Sequence, residues 1–179
     1  MKVRCSPLLF LLAALLITAG CTHNKTIEGF SATKWSEIGR QASDANRWNE
    51  ALNAYDKAIE LNPNDASAYN NRGIAYDNLD KNDLAIEDYK KAIELNPKYG
   101  DAFNNLGKNF SKLGDYKRAI LYYDRAIEIN RKDADAYYNR GNAFSNLGNS
   151  KYANDDLKIA AQLGNILAQK YLKEKGITW

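Results

Sequence analysis

Asparagine carboxamides are the side chains whose type and spacing in this sequence best suit a chemical task. Asn71, Asn105 and Asn139 stand 34 residues apart along the chain. A carboxamide donates and accepts hydrogen bonds at the same time, so a row of them can hold the backbone of another peptide whatever its side chains are. Asparagine can also recur at one place in a repeated sequence without any ligand, and the sequence leaves that alternative open. The chemistry that these residues predict is non-covalent binding.

Residue types that carry out catalysis are scarce in this chain. It has one histidine, His23, and two cysteines, Cys5 and Cys21. No second histidine can activate a serine, no glycine-rich loop is placed to cradle a phosphate, and the acids stand at positions expected to be solvated. A lone histidine with no cysteine partner is more often a solvated side chain than a metal ligand. We therefore expect no enzyme activity, no cofactor and no metal site.

A period of 34 residues organises the part of the chain that carries these asparagines. Three series of small residues keep that spacing: Gly39, Gly73, Gly107 and Gly141; Ala51, Ala85, Ala119 and Ala153; and Ala58, Ala92, Ala126 and Ala160. Such a fixed period is typical of stacked helix–turn–helix units. Within each unit the apolar residues recur at steps of three and four, which predicts two amphipathic helices. Asn-Pro at 62–63 and 96–97 and Leu-Gly at 113–114 and 147–148 indicate turns between helices.

The repeated unit resembles the tetratricopeptide repeat, whose pattern is an aromatic residue, Leu-Gly, Tyr, Ala, an aromatic residue, Ala and Pro at set positions. Four copies fit this frame, at 32–65, 66–99, 100–133 and 134–167. The second copy carries most of the pattern in Tyr69, Gly73, Tyr76, Ala85, Tyr89, Ala92 and Pro97. The copies depart from it at Ala42, Arg72, Arg131, Arg140, Leu157 and Asn165. The resemblance implies an all-α fold, a right-handed superhelical α-solenoid in which glycine and alanine let helices approach closely beside the aromatic rings.

A further helix is expected after the fourth copy. Residues 166–175 have apolar side chains on one side and charged ones elsewhere, and Gly176 stops the pattern. A stack of repeats needs a terminal element with a polar outer face. We therefore expect a C-terminal capping helix, with 168–179 as its remainder and tail, and we expect Ile177 and Trp179 to fold back onto the stack.

In the family this sequence resembles, the first helix of each repeat lines a concave groove. The resemblance implies that the side chains of this chain that contact a bound segment are Asn70, Asn71, Asn104, Asn105, Lys108, Tyr138, Asn139 and Asn142. Three basic groove residues stand against five acidic ones, a balance of −2: Arg40, Lys108 and Lys112 against Glu37, Asp44, Asp77, Asp101 and Asp135. Family members that clamp a C-terminal carboxylate use paired basic residues. This chain has aspartate and asparagine there, at 101, 105, 135 and 139, so that mode is not expected.

The first 21 residues are predicted to be a secretion signal. Lys2 and Arg4 precede an apolar run from Leu8 to Ala19, which is too short for the roughly 20 helical residues that span a bilayer. The small residues before Cys21 resemble a bacterial lipobox, which implies that Cys21 is acylated, with palmitate among its lipids, and anchors the protein. By the same resemblance Thr22 favours the outer membrane. Ordinary cleavage near 19 or a retained anchor are the alternatives. Residues 22–31 are predicted to be a polar tether.

Composition sets further limits on the class of partner. The chain has 179 residues, of which 45% are hydrophobic, and a net charge of +3 without a run of lysine or arginine. We expect no nucleic acid and no small-molecule substrate. The resemblance implies a non-enzymatic adaptor or assembly factor of the bacterial cell envelope that holds a segment of another envelope protein in its groove. A pilotin-like factor for pilus or secretin assembly, a self-associating structural protein, and a subunit that completes an enzyme remain the alternatives.

Overall fold

The computed structural model describes residues 26–179, so the predicted signal peptide and Cys21 lie outside the described residues. Within that range the chain forms nine α-helices, which are α1 (Ala32–Asp44), α2 (Trp48–Leu61), α3 (Ala66–Asn78), α4 (Asn82–Leu95), α5 (Gly100–Lys112), α6 (Tyr116–Ile129), α7 (Ala134–Asn146), α8 (Ser150–Gln162) and α9 (Ile166–Glu174). None of the helices in the described part has the length and apolar character that a bilayer crossing requires.

Polar side chains and glycines define where these helices begin and end. Asp65, Asp133 and Asn165 each accept a hydrogen bond from a backbone N–H in the first turn of the helix that follows. Gly114 and Gly148 have φ of 80° and 77°, a conformation that glycine adopts without a Cβ penalty, and they turn the chain from α5 to α6 and from α7 to α8. The turns expected from Leu-Gly are confirmed.

The helices pack as four hairpins in sequence order, α1 with α2, α3 with α4, α5 with α6 and α7 with α8. Each second helix also packs on the first helix of the next hairpin, and the first helices contact one another along the row from α1 to α7. Helix α9 packs on α8. The prediction of an all-α solenoid of helix–turn–helix repeats is confirmed, because every hairpin buries its apolar side chains against its neighbours.

Close packing of glycine against tyrosine explains why small residues recur in the first three repeats. Tyr55, Tyr89 and Tyr123 are each 1% exposed. A Cβ added at Gly107 would lie 2.6 Å from the Tyr123 ring, and the first two repeats have the same arrangement. The fourth repeat has leucine in place of the tyrosine, and a Cβ there would be 3.1 Å from its Cγ. The glycines of the first three repeats are therefore required by the rings packed against them.

Two arginines that depart from the family pattern form buried ion pairs. Arg72 on α3 donates from Nε and Nη2 to Asp88 Oδ2 and Oδ1 at 2.8 and 2.7 Å, and from Nη1 to Asp56 Oδ1 at 2.6 Å. Because Asp56 lies on α2 and Asp88 on α4, one guanidinium joins the first repeat to the second. Arg140, 68 residues further on, joins Asp124 and Asp156 in the same way. The polar replacement of leucine is thus compensated by carboxylates.

The third repeat has apolar residues at the same places. Leu106 is 0% exposed where the second repeat has arginine. Tyr122 stands where the second repeat has aspartate, and its ring stacks on Phe110 with centroids 5.3 Å apart and an interplanar angle of 4°. The stack therefore alternates between ionic and apolar contacts with a period of two repeats.

The described end of the predicted tether, residues 26–31, contacts the first repeat. Trp35 Nε1 donates to the Ile27 carbonyl at 3.1 Å, and the Phe30 ring meets the Trp35 ring edge to face at 5.4 Å. Glu28 accepts from Lys57 Nζ on α2 at 2.7 Å. Residues 27, 28 and 30 of the predicted tether therefore contact the first repeat.

The capping helix α9 is present, and its tail differs in part from the prediction. Ala168 and Leu172 are 0% exposed and pack in a cluster with α8, against which Ile177 also packs. Trp179, however, is 44% exposed, so the expectation that it folds back onto the stack is wrong. Ile177 occupies the place on the cluster, and the tryptophan two residues later lies further out.

Candidate functional site

The residues predicted to bind a segment lie on three neighbouring helices. We call the surface that they form the inner face. Helix α3 carries Asn70 and Asn71, α5 carries Asn104, Asn105 and Lys108, and α7 carries Tyr138, Asn139 and Asn142. Asn70 is 3% exposed, Lys108 is exposed, and the other six are half-buried. The eight predicted residues therefore stand at the fifth, sixth or ninth position of these three first helices.

Carboxamides on the inner face bond to one another between repeats. Asn105 Nδ2 donates to Asn70 Oδ1 at 3.1 Å, and Asn139 Nδ2 donates to Asn104 Oδ1 at 3.0 Å. Both bonds join residues 35 apart in sequence, the fifth residue of one first helix and the sixth of the next. The 34-residue spacing does not reveal these pairs, because their members are 35 residues apart. Adjacent asparagines at 70–71 and 104–105 were the available signal.

These bonds leave part of each carboxamide free for a ligand. A carboxamide has two N–H donors and an oxygen with two lone pairs. Asn105 and Asn139 each use one N–H across the helix row, so each retains a second N–H and its oxygen. Asn70 is enclosed by its neighbours, with its oxygen bonded to Asn105 and its nitrogen 3.4 Å from Asn71 Oδ1. Asn70 therefore positions the row, while the two later asparagines can still pair with a peptide backbone.

Charged side chains near the inner face largely pair with each other. Lys112 Nζ donates to Asp80 Oδ1 at 2.7 Å and to Asp77 Oδ1 at 3.2 Å, which links α5 to the end of α3. These contacts hold the pKa of Lys112 above its ordinary value and the pKa of Asp80 below its own. At the other end Arg40 pairs with Asp44 at 3.3 Å. Neutral carboxamides are therefore the main groups that the centre of this surface offers to a ligand.

A polar cavity lies at the C-terminal end of the row. It has a volume of about 390 Å³ and is lined by residues that include Asp101, Asn104, Asp135 and Asn165. Asn165 Nδ2 donates to Asp135 Oδ1 at 2.7 Å, so the residue that begins α9 is tied to α7. Across residues 26–179 no three histidine, cysteine or acidic side chains are arranged to hold a metal ion.

Family models match most of this helical stack. A model described as a tetratricopeptide repeat matches residues 66–99, a model described as a TPR repeat matches 39–80 and 107–148, and a further tetratricopeptide-repeat model matches 88–120. The matches run together from 39 to 148, more than half of the chain. The chain belongs to the tetratricopeptide-repeat family. No curated protein sequence matches this tetratricopeptide-repeat protein.

Solved structures agree with the family. The crystal structure of MamA is similar over 77% of this chain and 81% of its own, with 28% identity and a TM-score of 0.70. The Arabidopsis OM64 TPR domain is 27% identical over 64% of this chain and 94% of its own, with a TM-score of 0.63. The first TPR of Spaghetti (RPAP3), solved with the HSP90 peptide SRMEEVD, is 25% identical over 65% of this chain and 93% of its own, with a TM-score of 0.64. The fold therefore occurs in a structure that holds a peptide.

Proposed function

We propose that this tetratricopeptide-repeat protein is a non-enzymatic adaptor that holds an extended segment of a partner protein along its inner face. The observation that carries the proposal is the row of half-buried asparagines on α3, α5 and α7, of which Asn105 and Asn139 keep an unused N–H and an oxygen. An extended backbone presents the same two groups at every residue. The similarity to a peptide-bound TPR structure supports this mode of binding.

The bound segment is proposed to be internal to the partner rather than its C-terminus. The positions at which related proteins use basic residues to clamp a terminal carboxylate hold Asp101, Asn105, Asp135 and Asn139 in this chain. Carboxylates repel a terminal carboxylate, whereas carboxamides accept and donate equally well along a neutral backbone. Capture of a peptide only when its C-terminus is free would contradict this part of the proposal.

The proposed place of action is the bacterial cell envelope. Lipid on Cys21 would anchor the protein to the periplasmic face of the outer membrane. This rests on the sequence alone, namely Lys2, Arg4, the apolar run and the small residues before Cys21. Metabolic labelling with a fatty-acid probe tests it. We expect the protein to be labelled and to sediment with outer membranes, and Cys21→Ser to remove both properties. An unlabelled, membrane-bound protein would instead indicate a retained anchor.

Cross-linked capture from membranes tests the binding site. We expect the protein to capture a defined envelope protein and a variant with Asn71→Ala, Asn105→Ala and Asn139→Ala to lose it. A pilotin-like role would appear as a captured pilus or secretin component. A self-associating structural protein would show higher oligomers in sedimentation instead. Persistence of the same captured protein in the triple variant would place the binding site elsewhere.

A matched control separates ligand contacts from stack stability. Asn105→Ala removes an inner-face carboxamide and also breaks the hydrogen bond to Asn70. Asn70→Ala breaks the same bond, but the side chain that it removes is only 3% exposed. We expect the two single variants to melt at similar temperatures and Asn105→Ala to lose more of the captured protein than Asn70→Ala. Equal loss from both would mean that the bond, and not a ligand contact, is what matters.

A further inference from the structure

Helix α9 exposes more apolar surface than a terminal cap requires. Ile166 is 75% exposed, Leu167 is 58% exposed and Tyr171 is 39% exposed, while Ala168 and Leu172 on the opposite side are buried. A cap whose only task is to cover the last repeat presents a polar outer face. The exposed apolar residues therefore call for a second explanation.

The register of α9 shows which surface these residues join. Asn165 caps α9 as Asp133 caps α7, each accepting a bond from the third residue of its helix. The residues that donate these bonds, Ala168 and Ala136, are both 0% exposed. Helix α9 thus has the register of another first helix that has no second helix following it in the described chain. Its second, fifth and sixth residues, Leu167, Lys170 and Tyr171, correspond in register to Asp135, Tyr138 and Asn139 of α7.

The carboxamide row ends in a pair of tyrosines in this register. The two bonds between repeats join the fifth residue of one first helix to the sixth residue of the next. The next pair in that series is Tyr138 on α7 and Tyr171 on α9, and Tyr138 packs against the cluster that contains Ala168 and Leu172. Leu167 takes the place that Asp135 has in α7. The inner face therefore changes from polar to apolar at its C-terminal end.

The net charge changes from negative to positive at the C-terminal end of the inner face. Three lysines, at 170, 173 and 175, stand against Glu174 in the segment from 166 to 179, a net charge of +2. The second residues of α5 and α7 are aspartates, whereas α9 has leucine at that place. Lys170 is exposed one residue before Tyr171. An apolar surface with a cation beside it suits an apolar side chain that has an acidic neighbour.

We propose that α9 extends the inner face and anchors one end of the bound segment. Leu167 and Tyr171 receive one aliphatic or aromatic side chain of the partner, and Lys170 meets an aspartate or glutamate next to it. This inference rests on the proposed function, because the rest of the segment is held by the asparagines. The partner segment is thus asymmetric, with an acidic-apolar end over α9 and a stretch of unspecified side chains over α5 and α7.

Selection from a random peptide library displayed on phage tests the proposal with the full-length protein carrying Cys21→Ser. Peptides of about twelve residues are long enough, at about 3.3 Å per residue, to follow the row of first helices. We expect the selected peptides to share an aliphatic or aromatic residue beside an acidic one near one end. Leu167→Ser should weaken them by at least about tenfold, the factor that loss of one buried aliphatic contact implies.

The control lies one residue away on the same helix. Ile166→Ser changes the most exposed apolar residue of α9 outside the proposed row and should leave peptide affinity unchanged. Lys170→Glu should weaken the selected peptides, and replacing their acidic residue with lysine should restore binding to that variant. Restoration depends on the charge of one side chain, so a general loss of folding cannot produce it.

The outcomes distinguish this inference from the function on which it rests. Peptides that lose affinity with Asn105→Ala but bind Leu167→Ser and Lys170→Glu normally would overturn the inference and leave the adaptor intact. Selected peptides that are indifferent to Asn105→Ala and Asn139→Ala, or no selected peptides, would overturn both. A dimer in sedimentation that Leu167→Ser converts to a monomer, with unchanged peptide affinity, would assign the patch to a second copy of this chain and also overturn the inference.

Discussion

Leucine in place of Arg72 removes the guanidinium that neutralises Asp88 inside the second repeat. The Asp88 side chain is 7% exposed and the Arg72 side chain is 19% exposed, so both groups are withdrawn from water. Arg72 makes two hydrogen bonds to Asp88, at 2.8 and 2.7 Å. In Arg72→Leu the carboxylate stays buried and loses this partner, which is the costly way to break an ion pair.

The expected loss of unfolding free energy is about 3–5 kcal/mol, the usual result of leaving one partner of a buried pair unpaired. The contact with Asp56 adds little, because that carboxylate is 54% exposed and such pairs are worth about 0–1 kcal/mol. Asp56→Ala should therefore cost at most about 1 kcal/mol. Urea unfolding followed by circular dichroism measures both values on the same protein.

The third repeat indicates which second substitution should restore the stability that Arg72→Leu loses. It has Leu106 and Tyr122 where the second repeat has Arg72 and Asp88, and the Tyr122 ring stacks on an aromatic neighbour. Arg72→Leu combined with Asp88→Tyr should recover most of the lost stability, because a well-packed apolar pair replaces a buried ion pair at little cost. Recovery of less than half would mean that the surroundings of the two pairs differ more than their registers indicate.

Acidic pH provides an independent check on the single variant. Burial raises the pKa of Asp88, and in Arg72→Leu the arginine that opposes this rise is gone. A raised pKa in the folded state means that protonation favours folding, so the deficit of Arg72→Leu should shrink as pH falls. A deficit of less than about 1 kcal/mol at neutral pH, or one that grows in acid, would refute the reasoning.

Further predictions concern the packing of the core and the ionisation of a buried tyrosine. Gly107→Ala should destabilise the protein by about 1–3 kcal/mol in urea unfolding, because its Cβ would lie 2.6 Å from the enclosed Tyr123 ring. In Gly141→Ala the added Cβ would lie 3.1 Å from Leu157 Cγ. The gain in helix propensity of roughly 1 kcal/mol should offset most of the strain of this contact. An equal loss of stability in Gly107→Ala and Gly141→Ala would contradict the role of the tyrosine ring. Asn109 is 0% exposed, and neither its Oδ1 nor its Nδ2 has a hydrogen-bond partner in the described chain. The second and fourth repeats have alanine at this position. Asn109→Ala should raise the melting temperature, since it removes about 1–3 kcal/mol of uncompensated desolvation, and a lower melting temperature would reveal a partner for the amide. Burial raises the pKa of Tyr123 to about 12. A tyrosine in the unfolded chain has a pKa of about 10. The contribution of Tyr123 to the free energy of unfolding should therefore be fully present below pH 10 and be lost as pH rises towards 12. Tyrosinate absorbance and circular dichroism, recorded together during an alkaline titration, measure this loss.

The repeat architecture could be predicted because it depends on residues that recur at one spacing. Gly107 and Tyr123 belong to series that can be read from the chain, and their contact in the structure is a consequence of the helix pairing that the series indicates. Turn positions were predictable for a similar reason, since Gly114 and Gly148 adopt backbone conformations that other residues rarely do. These features are local or periodic, and a single sequence contains both kinds of information.

The ionic contacts and the asparagine bonds could not be predicted in this way. Arg72 and Asp88 are 16 residues apart, and Arg72 looks like an isolated departure from the family pattern until the two helices are packed together. Asn70 and Asn105 are 35 apart, one residue away from the period itself. A pattern that examines each position separately cannot show that a residue at one position pairs with a residue at another.

The bonds between asparagines connect the stability of the stack with the proposed binding. Ordering a flexible side chain at an interface costs about 0.5–1.5 kcal/mol. Asn105 and Asn139 are already oriented by Asn70 and Asn104 when the protein folds, so a bound peptide meets carboxamides that have lost much of that freedom. Asn70→Ala should therefore weaken peptide binding by roughly two- to tenfold although it removes an enclosed side chain, whereas Asn105→Ala also removes the contact itself and should weaken it further. An affinity unchanged by Asn70→Ala would show that the row gains nothing from being held in place.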